Sequence, residues 1–152
     1  MRIFLAGIIQ GSKRELDIHS QDYRQTLTEL LRRYVPDADV YDPFAEHHDS
    51  VTYSDEQGRR VFLTHNAMCR TVDAIIAFLP EASMGTAIEI WEGWQNNVAI
   101  FIISPLTTNW IVRFLSHRVY DSLESLAAAI QSGEFTQVVQ QVRSGSQPHP
   151  AS

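Results

Sequence analysis

Residues 73–92, DAIIAFLPEASMGTAIEIWE, contain the transition that decides the fold. The mostly apolar run 73–79 predicts a strand that is buried on both faces. A loop follows from Pro80 to Met84, and Gly85 begins a predicted helix that ends near Asn96. A buried strand that passes through a short loop into a helix is the repeating unit of a parallel α/β sheet.

The same alternation continues on both sides of this stretch. Apolar runs predict further strands at 2–7, 38–41 and 98–103, with an edge strand at 117–120. Helical periodicity predicts helices at 20–34, 54–71 and 121–132, and a short helix or turn at 108–115. Residues 8–19 and 44–53 are polar, and we predict loops there.

We therefore predict an α/β fold with a doubly wound, mostly parallel five-stranded sheet flanked by helices. This is the three-layer sandwich of Rossmann-like and flavodoxin-like proteins. A single domain is expected over residues 1–143, because 152 residues suit one domain. The low-complexity tail, residues 144–152, is predicted to be disordered.

Composition narrows the function classes. The net charge of −6 argues against a basic face for nucleic acid. The sequence has no run of 18 apolar residues, so no membrane span is expected. Its one cysteine, Cys69, excludes a disulfide framework, is expected in the core, and favours the cytoplasm as the compartment.

Ligands of doubly wound sheets bind at the carboxyl ends of the strands, near the point where the strand order reverses. The loops to consider are therefore 7–13, 42–53, 80–86 and 104–109. The first of them reads GIIQGS over residues 7–12, which is neither GxGxxG nor a Walker loop, and no cofactor is expected. Its backbone amides could hold a sugar or phosphate, or the loop could be a plain connection.

Glu89 is the strongest candidate for chemistry in these loops. We expect it in roughly the first turn of the helix that begins at Gly85, where the helix dipole favours an ionised carboxylate. An ionised carboxylate in a cleft can attack a carbon that develops positive charge, such as an anomeric carbon. The alternative is that Glu89 only stabilises the helix.

Other polar side chains have two interpretations each. His65 or Asn66 could point into the cleft, or His65 could be a buried structural histidine. Asn109 could bind a substrate hydroxyl or cap a helix. The histidines lack the spacing of metal ligands, so no metal is expected. Trp91 and Trp94 are expected in the core or at a subunit interface.

Three segments together resemble the nucleoside 2-deoxyribosyltransferase family, which includes the 2'-deoxynucleoside 5'-monophosphate N-glycosidases. They are IFLAGIIQGS at 3–12, DAIIAFL at 73–79 and SMGTAIEIW at 83–91, and the resemblance extends over about residues 2–125. It implies an enzyme in which Glu89 attacks the anomeric carbon and forms a covalent glycosyl intermediate.

The resemblance also implies substrate-binding residues. Asn109 matches an asparagine that binds the sugar or phosphate, often from a neighbouring subunit, which implies a homodimer or a higher homo-oligomer. The phosphate or sugar would contact the first loop and the loop before the helix, at Gly7, Gln10, Gly11, Ser12, Ser83, Met84 and Gly85.

One position departs from the family pattern. The aspartate that helps to protonate the leaving base is replaced by His65, eight residues before Asp73. A histidine with an unperturbed pKa near ~6.5 could act as the general acid. Alternatively, the change means a different leaving group or lost activity.

The resemblance thus implies cleavage or transfer at the N-glycosidic bond of a nucleoside or nucleoside 5'-monophosphate. Hydrolysis and transfer both stay open, as do the base, the sugar and the need for a phosphate. The alternative from a different class is a non-catalytic module of the same fold that senses a nucleotide. A structural or interaction protein is a third, weaker hypothesis.

Overall fold

A computed structural model describes residues 1–9 and 20–146 and contains a five-stranded sheet. The strands are β1 (Arg2–Gly7), β2 (Asp39–Tyr41), β3 (Ala74–Phe78), β4 (Ala99–Ile103) and β5 (Arg118–Tyr120). Their order in the sheet is β2-β1-β3-β4-β5, and every neighbouring pair is parallel. The predicted fold class is confirmed, and the edge strand β5 is parallel like the others.

Helices cover both faces of the sheet. They are α1 (Asp22–Tyr34), α2 (Pro43–Glu46), α3 (Asp55–Cys69), α4 (Met84–Gln95), α5 (Trp110–Phe114), α6 (Leu123–Ser132) and α7 (Glu134–Arg143). Buried residues of α1, α6 and α7 pack on one face, against Ile3, Leu5 and Ile76. Buried residues of α3, α4 and α5 pack on the other face, against Phe4 and Ile75. Successive strand residues therefore point to opposite layers, as a sheet buried on both faces requires.

The prediction of a polar loop at 44–53 is wrong in part, because two stretches of this segment are helical. Asp42 begins α2 by accepting a hydrogen bond from the amide of Phe44 at 3.0 Å, and Pro43 occupies the first helical position. A 3₁₀ turn follows at Ser50–Thr52. These two turns bring His47 and Tyr53 back toward the sheet edge, where both line the cleft described below.

The prediction omitted α7. Gly133 adopts a left-handed conformation with φ of 84° between α6 and α7, which lets the chain reverse. The buried side chains of α7 join the same core layer as α1 and α6: Phe135, Val138, Val139 and Val142. The predicted tail at 144–152 is described only as far as Ser146, and the rest lies outside the described residues.

The strand order reverses between β1 and β3. The chain runs from β1 outward to β2, then returns past β1 to β3 and continues outward to β4 and β5. The connections that leave β1 and β3 therefore diverge, and a crevice opens at their carboxyl ends.

The surroundings of Cys69 and the lengths of the helices bear on two further features. Cys69 is fully buried in the core between α3 and the sheet, as expected, and burial raises the pKa of its thiol. Among the helices in the described ranges 1–9 and 20–146, we find none with the length and apolar character to cross a bilayer.

Candidate active site

A cleft of about 330 Å³ lies at the carboxyl ends of β1 and β3. Gly7 at the end of β1 and Glu89 of α4 line it, together with the amino end of α4. Ile9 follows β1 at the cleft, and the remaining lining comes from α3 and from the connection between β2 and α3, namely Pro43, His47, Ser50, Tyr53, Gly58, Val61, Phe62 and His65. The cleft thus occupies the position at which the strand order predicts a ligand.

Glu89 lies in this cleft, but its environment differs from the expected one. Helix α4 begins at Met84, so Glu89 is in the second turn and no acidic residue lies in the first. The helix dipole acts mainly within the first turn, so it does not hold Glu89 ionised as expected. Burial instead raises the pKa of Glu89 to about 8, against a smaller lowering by Arg24. At neutral pH the free cleft therefore favours the protonated carboxyl.

Arg24 is a fully buried guanidinium on α1. Its Nη1 donates to the carbonyl oxygen of Leu5 and to Oδ1 of Asp42, both at 2.8 Å. Its Nη2 donates to the carbonyl oxygen of Gly7 at 3.4 Å. These bonds fix a positive charge under the end of β1, where it favours the ionised form of Glu89.

Tyr23 lies beside Arg24 and packs its ring against Phe78, with the ring centroids 4.3 Å apart. Its hydroxyl is buried and has no hydrogen-bond partner within the described part of the chain. Burial raises its pKa to about 12, with Arg24 lowering it and Asp42 and Glu89 raising it further. A Cβ on Gly7 would collide with this hydroxyl, so only glycine allows Tyr23 to approach β1 so closely.

His65 lines the cleft as one interpretation proposed, whereas Asn66 does not line it. The Nε2 atom of His65 lies 3.0 Å from the hydroxyl of Tyr41. Burial, with a smaller contribution from nearby His47, lowers the pKa of His65 to about 4. The pKa of His65 thus lies below the unperturbed value of a histidine, and His65 is neutral at pH 7.

A second imidazole–phenol pair lies next to the first. The Nδ1 atom of His47 is 3.1 Å from the hydroxyl of Tyr53, and the rings of His47 and His65 have centroids 5.2 Å apart. We name the group of His47, Tyr53, His65 and Tyr41 the imidazole–phenol cluster. Three of its members line the cleft together with Glu89: His47, Tyr53 and His65.

The residues before α4 have clear local roles. Ser83 caps α4 by accepting hydrogen bonds from the amide of Thr86 at 3.4 Å and from its hydroxyl at 3.1 Å. Ser83, Met84 and Gly85 all line the cleft, and the Met84 side chain is 87% exposed at its mouth. Gln10, Gly11 and Ser12 lie outside the described residues.

Asn109 does not line the main cleft. It caps α5, with Oδ1 accepting from the amides of Ile111 at 3.0 Å and Val112 at 3.4 Å. Its side chain lines a neighbouring hollow of about 240 Å³ that shares Ser83 and Met84 with the main cleft. Within one chain, Asn109 is therefore a helix cap beside the cleft.

Sequence reasoning missed four residues of this site: Tyr23, Arg24, His47 and Tyr53. Arg24 stands beside an apolar helical stripe and reads as an exposed charge until the fold buries it. His47 and Tyr53 fall in a segment too short for periodicity to orient them. The described residues contain no cluster of three or more His, Cys, Asp or Glu side chains suited to a metal ion.

Comparison with solved structures identifies the fold. A 2-deoxyribosyltransferase from the psychrotolerant bacterium Bacillus psychrosaccharolyticus superposes with a TM-score of 0.68 at 15% identity, covering 91% of this chain and 96% of that one. The chain has the fold of a 2-deoxyribosyltransferase. A conserved protein from Enterococcus faecalis V583 shares it with a TM-score of 0.59 at 18% identity, covering 86% of this chain and 97% of that one.

Sequence comparison adds nothing to this likeness. No protein-family model matches the chain, and no curated protein sequence matches it. At identities of 15% and 18%, the likeness to these two proteins is one of backbone fold alone. The resemblance noted in the sequence therefore agrees with the fold, and the chemistry has to be argued from the cleft.

Proposed function

We propose that this protein cleaves or transfers at the N-glycosidic bond of a nucleoside or nucleoside 5'-monophosphate, with Glu89 as the nucleophile. One observation carries the proposal: a glutamate side chain lines the cleft at the strand-order reversal of a fold shared with a 2-deoxyribosyltransferase. The Bacillus psychrosaccharolyticus enzyme is described as a biocatalyst for nucleoside synthesis.

The proposed reaction is a double displacement. A carboxylate oxygen of Glu89 attacks the anomeric carbon as the bond to the base breaks, and the base leaves with a proton. Water or a second base then attacks the glycosyl–Glu89 ester and releases the carboxylate. The sugar keeps its configuration because it is inverted twice.

Arg24 supports the first displacement without lining the cleft. Its buried positive charge favours the ionised Glu89 that the attack requires, and its bonds to Leu5 and Asp42 hold that charge in place. Because burial raises the pKa of Glu89 to about 8, the fraction of reactive carboxylate in the free enzyme increases as pH rises toward 8. We expect kcat/KM to rise over this range.

Substrate binding is assigned to the surrounding loops. We propose that the sugar or phosphate contacts Gly7, Ser83, Met84 and Gly85, which line the cleft, and also Gln10, Gly11 and Ser12, which lie outside the described residues. Asn109 is proposed to bind the sugar or phosphate of a substrate in a neighbouring subunit's cleft, because it points into the adjoining hollow of its own chain.

A homodimer or higher homo-oligomer is part of this proposal. Helix α4 exposes Met84, Ile88 and Trp91, which are spaced to share one helical face, and α5 exposes Trp110 and Phe114. Met84 lines the hollow that contains Asn109, and Trp110 follows Asn109 directly in the chain. An exposed apolar surface next to a cleft is typical of a subunit interface. The cytoplasm stays a prediction for the compartment.

A second function has its own support. With Glu89 protonated and His65 neutral at pH 7, the cleft can accept and donate hydrogen bonds without attacking a sugar. This state suits a non-catalytic module that binds a nucleotide. Tight binding of a nucleotide without turnover at any pH from 6 to 9 is the result that this alternative predicts.

The test is a panel of ribo- and deoxyribonucleosides and their 5'-monophosphates, with and without a second free base. Chromatography follows base release or exchange for the wild-type protein and for Glu89→Gln. Glu92→Gln is the matched control, because Glu92 lies one turn further along α4 and pairs with Arg70 at 2.7 Å outside the cleft.

We expect turnover in the wild-type protein and in Glu92→Gln, and none in Glu89→Gln. Mass spectrometry of the quenched reaction should show a glycosyl group on Glu89. Equal turnover in Glu89→Gln and the wild-type protein would exclude Glu89 as the nucleophile.

A further inference from the structure

The imidazole–phenol cluster supplies the group that the proposed reaction still lacks, a proton donor for the departing base. We propose that this donor is His47, and that His65 is a positioning residue that packs against it. This inference rests on the proposed function and names a catalytic residue within the same cleft.

The surroundings of His65 argue against a role as the acid. Its side chain is buried among aromatic rings, with edge contacts to Phe4 at 5.9 Å and Tyr41 at 5.6 Å between ring centroids. One of its two ring nitrogens is already engaged with the hydroxyl of Tyr41 at 3.0 Å. A buried imidazole of this kind resists the positive charge that a proton donor needs before it reacts.

His47 has the opposite surroundings. It follows α2 at the cleft, its side chain is only partly buried, and Glu46 precedes it in the chain. Its Nδ1 atom is oriented by the hydroxyl of Tyr53 at 3.1 Å, with the two rings at right angles. Nε2 has no hydrogen bond to any residue in the described ranges, so this nitrogen is available to a ligand.

The two imidazole rings lie close together. Their ring centroids are 5.2 Å apart, and two positive charges at that distance repel each other in a partly desolvated site. The groups facing the pair are the phenols Tyr41 and Tyr53, with Glu46 beside His47 in the chain and Glu89 in the same cleft. Since burial disfavours a positive charge on His65, His47, which lines the cleft and is only partly buried, is the imidazole placed to donate a proton to a ligand.

The step balances as follows. The bond from the anomeric carbon to the base nitrogen breaks, and its electron pair goes to that nitrogen. The proton on Nε2 of His47 moves to the same nitrogen, while an oxygen of Glu89 bonds to the anomeric carbon. His47 then recovers a proton from the water or second base that attacks the glycosyl ester, as double displacement requires.

The test uses pairs of substrates whose bases differ in their need for a proton. One pair is a guanine nucleoside and its N7-methylated form, whose cationic base leaves as a neutral molecule without protonation. The other pair is thymidine and its 5-fluorouracil analogue, whose base is more acidic. The pair is chosen, as nucleoside or 5'-monophosphate, from what the wild-type protein turns over.

We expect His47→Gln to lower kcat/KM by about 100-fold or more on the base that needs a proton, and by only a few-fold on its partner. Tyr53→Phe should change the ratio of kcat/KM between the two substrates in the same direction but by less, because Tyr53 only orients His47. His48→Gln is the matched control: His48 is exposed, pairs with Asp49 at 3.0 Å and does not line the cleft, so its substitution should leave the ratio between the two substrates unchanged. His65→Gln should change that ratio less than His47→Gln, because His65 acts only through His47.

Three results would overturn the inference. The first is an equal loss on both substrates in His47→Gln, with Tyr53→Phe leaving their ratio unchanged. The second is a change of the ratio in His65→Gln and not in His47→Gln. The third is an absence of turnover by the wild-type protein on every substrate, which would remove the proposed function as well.

Discussion

The end of β1 is built around the contact between Gly7 and Tyr23. A methyl group on Gly7 would overlap the Tyr23 hydroxyl and would also lie 3.2 Å from the carbonyl oxygen of Phe78. That hydroxyl has no hydrogen-bond partner within the described part of the chain. Its removal therefore forfeits no hydrogen bond and makes room beside the strand.

We predict that Gly7→Ala lowers the free energy of unfolding by about 1–3 kcal/mol through overpacking. Tyr23→Phe should change it little, since a buried hydroxyl without a partner contributes nothing favourable. The double variant should recover most of the lost free energy of unfolding. The part not recovered comes from the close contact of the new methyl group with the Phe78 carbonyl oxygen. Urea unfolding of the four proteins measures this coupling. Additive effects of the two substitutions would show that the contact does not exist.

The sequence predicted Glu89 in the cleft as an ionised carboxylate, whereas burial in the cleft favours its protonated form. Glu89 follows a strand and a loop in the chain, and this local pattern was enough to predict a carboxyl group at the carboxyl edge of the sheet. Its pKa depends on burial and on Arg24, which lies more than sixty residues away in the chain and reaches it only through the fold. The charge of a carboxyl in a cleft is therefore beyond what local spacing can predict.

The longer helices and strands were predictable because each is long enough to show a period. Helix α7 was missed although Phe135, Val138, Val139 and Val142 repeat at helical spacing, so the signal was present in the sequence. Helix α2 was missed for a different reason. It has 4 residues, which is little more than one turn and too few to define an apolar face.

The exposed aromatic residues of α4 and α5 give a prediction about assembly. Trp110 is 77% exposed and its ring lies 6.1 Å from that of Phe114. If this surface is the subunit interface, Trp110→Glu should convert the oligomer to a monomer by placing a charge in an apolar contact. Analytical ultracentrifugation measures the mass. Tyr34→Glu, an exposed aromatic on α1 in the other layer, should keep the wild-type mass. An unchanged mass in Trp110→Glu would place the interface elsewhere.

Over the whole molecule, Glu89 and His65 impose opposite pH dependences on stability. The folded-state pKa of Glu89 is raised from 4.5 to about 8, so the folded protein binds more protons over this range and loses stability as pH rises through it. The folded-state pKa of His65 is lowered from 6.5 to about 4, so its contribution is lost as pH falls from 6.5 toward 4.

We predict that Glu89→Gln is more stable than the wild-type protein at pH 9, by on the order of 1–3 kcal/mol, and that the gain disappears near pH 5. Guanidinium unfolding at a series of pH values measures the difference. Glu92→Gln should show no such trend between pH 5 and 9, because the pKa of Glu92 is lowered by Arg70 and the group stays ionised throughout. A flat difference for Glu89→Gln would mean that the carboxyl is already ionised in the free cleft.

The sequence predicted a doubly wound sheet, but it did not determine the order of the strands within that sheet. Both common orders place ligands at the carboxyl edge, so the candidate loops after β1 and β3 followed from the alternation alone. The side chains that the segment between β2 and α3 contributes to the cleft could not be predicted in this way. Their positions depend on how α2 and the 3₁₀ turn fold back over that edge of the sheet.

The burial of Cys69 has a practical consequence for observing the cleft in solution. The chain has one cysteine, and that thiol is enclosed by the core, so maleimide dyes should leave the native protein unlabelled. A cysteine introduced by Met84→Cys would then be the one reactive position, at a rim side chain that is 87% exposed. A fluorophore attached there would report ligand entry directly, without a background to subtract and without removing a native residue from the core.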